Sequence, residues 1–358
     1  MKTRWIRKGL GLDISKDYFH ACLGGYTQEM EFKVIAQRRF SNSQKGFVEL
    51  VEWMQKHRKD KALDWQVVME VTGVYHERVL YHLHSEGYPV CLEVAKRVKR
   101  YMQSIGHKSK NDKLDGRGLA QLACERKLVR WAPVSPQIHA IRTLLRHRKA
   151  MVVARDQFCN QLHALKHAAS DERIVERSLK QMIKTLDKQI EMAEDLVIKR
   201  TKQDAAFYNK VRMIVDSVKG LGYITVLTIV AETNGFKEFT SIKQLVSYAG
   251  MDVVENSSGK FKGKTHISKQ GNARIRAALY MPSLGIIREK TEPFYSLYMR
   301  LVIRTGGIKM KGVVAIQRKL LILIYTLWKK DEPFDPVRYI TVQPEPKTMV
   351  PEREVAPI

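Results

Sequence analysis

The longest uninterrupted stretch of this chain runs from Gln137 to Lys219 and contains neither glycine nor proline. Both residue types interrupt helices, so their absence favours long helices. Charged residues fill the gaps between apolar residues that recur at helical spacing, namely Leu144, Leu145, Met151, Val152, Phe158, Leu162 and Leu165. We predict two long helices, broken near Ser170, that form an antiparallel or an intermolecular coiled coil.

The residues before this stretch show a different pattern, in which short β-rich runs come first and then alternate with helices. The runs are Leu10–Ile14, Tyr18–Leu23, Glu31–Arg39, Trp65–Val71 and Pro89–Val94. The pair Gly24–Gly25 is typical of a turn between the second and third runs. One helix is expected to bury Phe47, Leu50, Val51 and Met54, and another is expected over Tyr75–Ser85. Three antiparallel strands followed by alternating helix and strand form an α/β pattern compatible with a ribonuclease-H-like sheet.

These patterns divide the chain into four expected parts, and the overall class is α/β plus α. Residues 1–134 form the α/β domain, residues 135–205 form the helical coiled-coil linker, and residues 206–330 form a mostly helical domain. Residues 331–358 contain six of the eleven prolines and are expected to be extended or disordered.

The net charge of +26 restricts the class of partner. Such an excess of basic residues favours a polyanion, of which nucleic acid is the usual one and a membrane surface the competing one. No apolar run is long enough to span a bilayer, and the N-terminus does not resemble a signal peptide. The four cysteines (Cys22, Cys91, Cys124 and Cys159) have no metal-type spacing and are expected to be reduced. We therefore expect a cytoplasmic protein without a membrane partner.

Four carboxylates occupy positions suited to metal binding. Asp13 and Glu70 lie at the ends of apolar strands, and Asp112 and Asp115 share a face at the start of a predicted helix. Paired metal ions held by carboxylates promote in-line attack on phosphodiesters, and such hard oxygen ligands suit Mg²⁺ or Mn²⁺. Each acid alone also fits an ordinary turn, strand edge or first helical turn.

A cluster of basic residues immediately precedes Asp112. Such a run is suited to holding a nucleic-acid backbone beside the metal, although a solvated basic face is the alternative. The predicted nucleic-acid-binding residues of this cluster are Lys96, Arg97, Lys99, Arg100, Lys108 and Lys110.

Two sets of motifs in this chain resemble those of a known family. The first half carries GLDISKDYF, MEVTGVY and NDKLDGRGLA. The second half carries VKGLGYITVLTIVAE, FKEFTSIKQLVSYAGM, SSGKFKGKTHISKQGNARIRAAL and KGVVAIQRKLLILIYTLW. Both sets resemble the insertion-sequence transposases related to the pilin-gene invertase, and together they cover most of the chain up to the proline-rich tail. The departures include Met251-Asp252-Val253, where a Leu-x-Pro is more usual.

The resemblance implies a RuvC-like first domain in which Asp13, Glu70, Asp112 and Asp115 hold the metal. It also implies a C-terminal transposase domain whose serine joins covalently to DNA. That serine precedes a glycine in the motif, which identifies Ser258 here. The resemblance further implies a structured RNA, encoded by the element, that pairs with donor and target DNA.

From chemistry alone, Asn256–Gly259 is more typical of an ordinary loop, and Ser257 and Ser268 are alternative nucleophiles. Basic residues that could bind the scissile phosphate follow closely; they are Lys260, Lys262, Lys264, Lys269, Arg274 and Arg276. The coiled coil favours a homo-oligomer, either a dimer or a tetramer. Two other functions remain open at this point, namely a metal-dependent junction nuclease without a covalent step and a non-catalytic nucleic-acid-binding protein.

Overall fold

The structure of the protein is a computed structural model that describes residues 4–57, 65–71, 73–106, 112–168, 172–255, 257–258, 261–263 and 265–337. The chain separates into two compact units, Met1–Pro133 and Val134–Ile358. The first unit is α/β, and the described part of the second is mostly helical.

A five-stranded sheet forms the centre of the first unit, with the strand order β3-β2-β1-β4-β5. The strands are β1 (Trp5–Ile14), β2 (Tyr18–Thr27), β3 (Phe32–Ser41), β4 (Trp65–Val71) and β5 (Val90–Val94). The helices are α1 (Gln44–His57), α2 (Glu77–Ser85), α3 (Ala95–Ser104) and α4 (Asp112–Glu125). The first three strands are antiparallel, whereas β4 and β5 run parallel to β1. The predicted α/β pattern is therefore confirmed.

Helices cover both faces of this sheet. On one face, Leu10 and Leu12 of β1 pack in a buried cluster with Leu50 and Met54 of α1. On the other face, α4 lies directly against β1. A Cβ atom built at Gly11 would lie 2.7 Å from the Cβ of Leu119 and closer still to the α4 backbone. Glycine is needed there because helix and strand approach more closely than a side chain allows.

The prediction of a turn at Gly24–Gly25 is wrong, because β2 continues through both glycines to Thr27. The chain reverses after β2, where the Thr27 amide donates to the Glu31 carbonyl at 3.0 Å. The glycines make room for aromatic rings on neighbouring strands. A Cβ at Gly25 would lie 2.7 Å from the Trp5 ring, and one at Gly24 would collide with the Phe32 ring.

The second unit begins with two 30-residue helices, α5 (Pro136–Leu165) and α6 (Arg173–Lys202). They run antiparallel, since Met151 packs with Ile190 and Arg155 Nη1 lies 3.4 Å from Asp187 Oδ1. The predicted pair of long helices is thus confirmed, while Ser170 lies outside the described residues. The coiled coil stays a prediction.

Further helices complete the second unit around one core. They are α7 (Ala205–Ser217), α8 (Tyr223–Glu232), α9 (Ile242–Tyr248), α10 (Ala273–Arg288), α11 (Phe294–Arg304) and α12 (Lys309–Lys330), with a short 3-10 helix at Asn234–Phe236. Four two-residue strands lie between α9 and α10, namely β6 (Val253–Val254), β7 (Ser257–Ser258), β8 (Phe261–Lys262) and β9 (His266–Ile267). Ile141 of α5 and Val197 of α6 belong to this core. The long helices therefore pack into the same hydrophobic core as α8 and α12.

In the portion of the chain that the structure describes, no helix has the length and hydrophobicity required to cross a bilayer. The proline-rich tail beyond residue 337 lies outside the described residues. Cys22, Cys91 and Cys124 are buried and Cys159 is exposed, and all four are free thiols.

Candidate active site

The two strand-borne acids lie at the same level of the sheet. Parallel pairing of β1 with β4 places Leu12 beside Met69, and Asp13 and Glu70 are the next residues of their strands. Neighbouring residues at one level of a sheet project to the same face. Asp13 and Glu70 therefore lie side by side at the carboxyl ends of two parallel strands, and both side chains are half-buried.

The same level continues across the other three strands. Glu70 pairs with Glu93 of β5. In the other direction, Asp13 pairs with His20 of β2, and His20 pairs with Arg39 of β3. One row thus crosses the whole sheet. We call it the charged row, and its members in strand order are Glu93, Glu70, Asp13, His20 and Arg39.

Helix α4 begins over this row. Gly11 lies beneath Gly116 and Ala120, and Asp13 follows Gly11 by two residues on the same face. Asp115 directly precedes Gly116 and is half-buried. Asp112 is the first residue of α4, and its side chain lies outside the described residues.

Carboxylate oxygens are the ligands that Mg²⁺ and Mn²⁺ prefer, so the chemistry of the four predicted acids fits a divalent metal. The backbone brings Asp13, Glu70 and the start of α4 to one end of one sheet face. Among the described residues, no three His, Cys, Asp or Glu side chains are arranged as a metal cage. The side chain of Asp112 is not among those described.

Helix α3 places the predicted basic cluster next to Glu93. Lys96, Lys99 and Arg100 are exposed, whereas Arg97 is held by Glu93 through contacts of 3.1 and 3.2 Å. The Glu93 side chain is only 5% exposed and the Arg97 side chain is 63% exposed, so a buried carboxylate fixes one end of an exposed cation. Lys108 and Lys110 lie outside the described residues.

The predicted nucleophile lies on a short hairpin in the second unit. Strand β7 pairs with β8, which places Ser258 opposite Phe261, and Ser258 is exposed. The outer pair β6–β9 supports this hairpin. Ser257 belongs to β7 and Lys262 to β8, but their side chains lie outside the described residues, as do Lys260 and Lys264.

Ser268 closes the base of the hairpin. Its hydroxyl donates to Asp252 Oδ1 at 2.6 Å and accepts from the Gln270 amide at 3.3 Å. Its own amide donates to the Asp252 carbonyl at 2.9 Å. Lys269 follows with a φ of 52° and donates its amide to the Gly250 carbonyl at 3.0 Å. The Ser268 hydroxyl is therefore part of a turn.

A buried carboxylate anchors the start of α10, directly after this turn. Glu232 accepts two hydrogen bonds from Arg146, at 2.8 and 2.9 Å, and one from Asn272 Nδ2 at 2.9 Å. Asn272 caps α10, and Arg274 Nε lies 3.9 Å from Glu232. Burial by itself would raise the pKa of the Glu232 carboxyl, but the hydrogen bonds from Arg146 and Asn272 outweigh it, and the pKa is lowered.

Arg276, another predicted DNA-binding residue, also contacts this part of the backbone. Its Nη1 donates to the Ala249 carbonyl at 2.8 Å and to the Gly271 carbonyl at 3.3 Å. These bonds hold the segment before the hairpin to the segment after it. Lys269 and Arg274 are exposed.

Sequence reasoning missed four acidic or basic residues of these sites, namely Glu93, His20, Arg39 and Glu232. The first three become visible only when the strand register is known. The available signal for Glu232 was its position as the last residue of α8, whose sequence YITVLTIVAE is strongly apolar.

Comparisons with known proteins found two family models that match this chain. Residues 10–167 match the DEDD transposase model of the IS110 group, and residues 212–299 match the model described as "Transposase IS116/IS110/IS902 family". The first match spans Asp13, Glu70, Asp112 and Asp115, and the second spans Ser258.

Two relatives match over nearly their whole length. The pilin gene-inverting protein of Moraxella lacunata is 26% identical over 330 residues, which are 91% of this chain and 97% of that protein. The transposase for insertion sequence element IS1111A of Coxiella burnetii is 25% identical, with 91% of each chain covered. Thermus thermophilus RuvC in complex with a Holliday junction is a distant structural match, with 11% identity over 32% of this chain and 90% of that chain and a TM-score of 0.24. The two family models, matched in order along the chain, show that the protein belongs to the IS116/IS110/IS902 family of transposases and is an enzyme of DNA transposition and recombination.

Proposed function

We propose that this transposase cuts and rejoins DNA through a metal–carboxylate site on the first unit and a covalent phosphoserine at Ser258. The observation that carries the proposal is the placement of Asp13 beside Glu70 on adjacent parallel strands, beneath the start of the helix that bears Asp112 and Asp115. Carboxylates gathered at one end of one sheet face are suited to a doubly charged cation beside a phosphate.

Asp13, Glu70, Asp112 and Asp115 would hold the divalent metal, which we propose to be Mg²⁺ or Mn²⁺. When bound, such an ion neutralises negative charge on a phosphodiester and lowers the barrier to attack at phosphorus. The rigid strand ends fix Asp13 and Glu70, and close packing of α4 on Gly11 fixes the start of α4 relative to them. The chain thereby supplies preorganised ligands, which limits the reorganisation required at each turnover.

Ser258 is the proposed nucleophile because its exposed position on the hairpin leaves it accessible to DNA. Attack by its hydroxyl oxygen forms a phosphoserine ester and breaks the bond between phosphorus and the leaving deoxyribose oxygen. Overall, one proton passes from the serine to that oxygen. Attack on the ester by a hydroxyl group of another DNA strand then reverses the step and rejoins the backbone.

We also propose that a structured RNA encoded by the element directs the choice of DNA. This part of the proposal rests on the family resemblance, because the net charge of +26 favours a nucleic acid of either kind and does not separate RNA from DNA. A homo-oligomer, either a dimer or a tetramer, is proposed to form through α5 and α6. These helices leave large apolar side chains exposed, including Ile174, Met182 and Leu196.

The metal half of the proposal is tested by strand exchange on a plasmid that carries the native DNA flanking the gene. The joined products are amplified and counted, and RNA transcribed from the flanks is supplied. We expect the double variant Asp13→Asn with Asp112→Asn to lose the products. Glu49→Gln, which changes an acid on the opposite face of the sheet, should retain them. Wild-type levels of product from the double variant would show that the metal site is wrong.

The covalent half is tested separately with Ser258→Ala. We expect this variant to form neither a joined product nor a protein–DNA complex that survives detergent, whereas Ser268→Ala should still form the complex. Metal-dependent cutting by Ser258→Ala without any covalent complex in the wild type would instead indicate a junction nuclease.

A further inference from the structure

The charged row is acidic from β5 to β1 and carries basic residue types on β2 and β3. The acids Glu93, Glu70 and Asp13 occupy β5, β4 and β1, whereas His20 and Arg39 occupy β2 and β3. Neighbouring strands are about 4.8 Å apart, so the backbone of His20 lies about 5 Å from that of Asp13, and the backbone of Arg39 lies about 10 Å from it. Both residues are on the same face as Asp13, because directly opposed residues of antiparallel strands share a face.

A cleft of about 430 Å³ opens on this basic half of the row. It reaches Gly116 of α4, the residue that follows Asp115. The cleft therefore begins where the carboxylate set ends. Its lining residues are His20, Ala21, Cys22, Gln37, Arg38, Arg39 and Gly116.

Arg39 is held in a geometry suited to an anion. Its guanidinium carbon lies 3.6 Å from the centre of the Tyr18 ring, and the Tyr18 ring in turn packs edge-on against His20. Stacking occupies the flat face of a guanidinium and leaves the in-plane N–H groups directed outward, where they match the oxygens of a phosphate. The Arg39 side chain is also exposed to an incoming ligand.

The neighbouring Arg38 is also exposed and also lines the cleft, but its guanidinium is paired with a carboxylate. Its guanidinium lies 3.3 Å from Glu49 Oε2 of α1 and 4.9 Å from the centre of the Phe40 ring. Alternation along β3 places this side chain on the opposite face of the sheet from Arg39. The chain thus supplies a matched control for Arg39.

We propose that His20 and Arg39 bind a phosphate of the DNA strand next to the phosphate held at the carboxylates. The strand would then cross the edge of the sheet from β1 toward β3. This assignment rests on the proposed function and deepens it, because it gives the direction in which the cut strand leaves the metal site. His20 and Arg39 act as positioning residues, since neither carries the reacting atoms.

The test uses the full chain and synthetic DNA copied from the flanks of the gene, with one phosphate at a time replaced by a neutral methylphosphonate near the cut bond. In the wild type, we expect neutralisation at one position beside the cut to slow cutting about tenfold, because a charge-assisted hydrogen bond is lost. Arg39→Gln should slow cutting of unmodified DNA by about the same factor. With Arg39→Gln, the methylphosphonate at that position should slow cutting by less than a further factor of two, because the substitution and the methylphosphonate remove the same contact.

Arg38→Gln is the control and should keep the full sensitivity to the methylphosphonate. His20→Asn should reduce that sensitivity at the same position. The assignment is wrong if the rate losses from Arg39→Gln and from the methylphosphonate multiply. It is also wrong if Arg38→Gln removes the sensitivity to the methylphosphonate as Arg39→Gln does.

A binding arm separates this inference from the proposed chemistry. Asp13→Asn is titrated with fluorescent flank DNA at several salt concentrations, with and without the added change Arg39→Gln. We expect the slope of log affinity against log salt to fall by about one when Arg39 is replaced, and not to fall when Arg38 is replaced. If the salt slope falls by about one when Arg39 is replaced but the wild type does not cut DNA, the proposed function is wrong and the phosphate contact stands. An unchanged slope would overturn the phosphate contact, even if the wild type cuts DNA.

Discussion

The closest approach between the sheet and α4 gives a direct test of how the carboxylates are positioned. Replacing Gly11 with alanine would put a methyl group under 3.0 Å from the backbone of both Gly116 and Ala120. Neither neighbour is a flexible side chain that could rotate away. Helix α4 must therefore lift away from β1, and it would carry Asp115 with it.

The size of the effect follows from the required movement. Ordinary contacts of a Cβ begin at about 3.4 Å, so α4 must shift by about 1 Å. Overpacking of this kind lowers the free energy of unfolding by about 1–3 kcal/mol. A misplacement of about 1 Å in a catalytic group lowers the rate about a hundredfold, so we expect DNA strand exchange to fall by roughly that factor even where the variant remains folded.

Gly116→Ala is the matched control on the facing element. A Cβ at Gly116 would lie 3.6 Å from the Cys22 Cβ, which is an ordinary contact. Thermal unfolding and strand exchange should be measured on both variants at a temperature where both are folded. If Gly11→Ala and Gly116→Ala have the same unfolding temperature and the same rate of strand exchange, then the close packing of α4 does not position the acids.

Three further predictions concern the second unit. Glu232→Ala leaves Arg146 without its carboxylate; water can partly solvate the Arg146 side chain, which is 44% exposed, so we expect a loss of only about 1–3 kcal/mol in chemical denaturation. Glu194→Ala removes a carboxylate that is itself 33% exposed, and it should cost less than about 1 kcal/mol. Because the pKa of Glu232 is lowered in the folded protein, the unfolded chain binds more protons in acid, so stability should fall as the pH drops below about 4.5, and Glu232→Gln should weaken that dependence. Ser268→Ala should cost about 1 kcal/mol through its lost bond to Asp252, and an equal loss of stability without loss of the covalent complex would agree with its role in the turn.

Much of the architecture could be predicted from local sequence. The absence of glycine and proline after Pro136 was sufficient to predict two long helices, since nothing in the segment opposes helix formation. The strand-end positions of Asp13 and Glu70 followed from short apolar runs. That these two acids are neighbours depends on a parallel pairing between distant segments, which composition does not encode.

The basic half of the charged row was missed because its position depends on register. The chain reverses between Ser15 and Tyr18, and this reversal places His20 opposite Asp13. The glycine pair in β2 does not reveal this register, because glycines that make space for aromatic rings have the same sequence pattern as glycines in a turn. Glu232 was missed for a similar reason, since its partner Arg146 is 86 positions away in sequence.

The most direct test of the account is to identify the atom to which DNA becomes attached. The wild-type protein is incubated with flank DNA, RNA transcribed from the flanks, and Mg²⁺ or Mn²⁺, and the reaction is stopped with detergent. The complex is digested and the modified peptide is sequenced by mass spectrometry. We predict a nucleotide on Ser258, lost in Ser258→Ala and lost when Asp13 and Asp112 are both changed to asparagine. Attachment to another residue, or strand exchange with no attached nucleotide at any stage, would contradict the account.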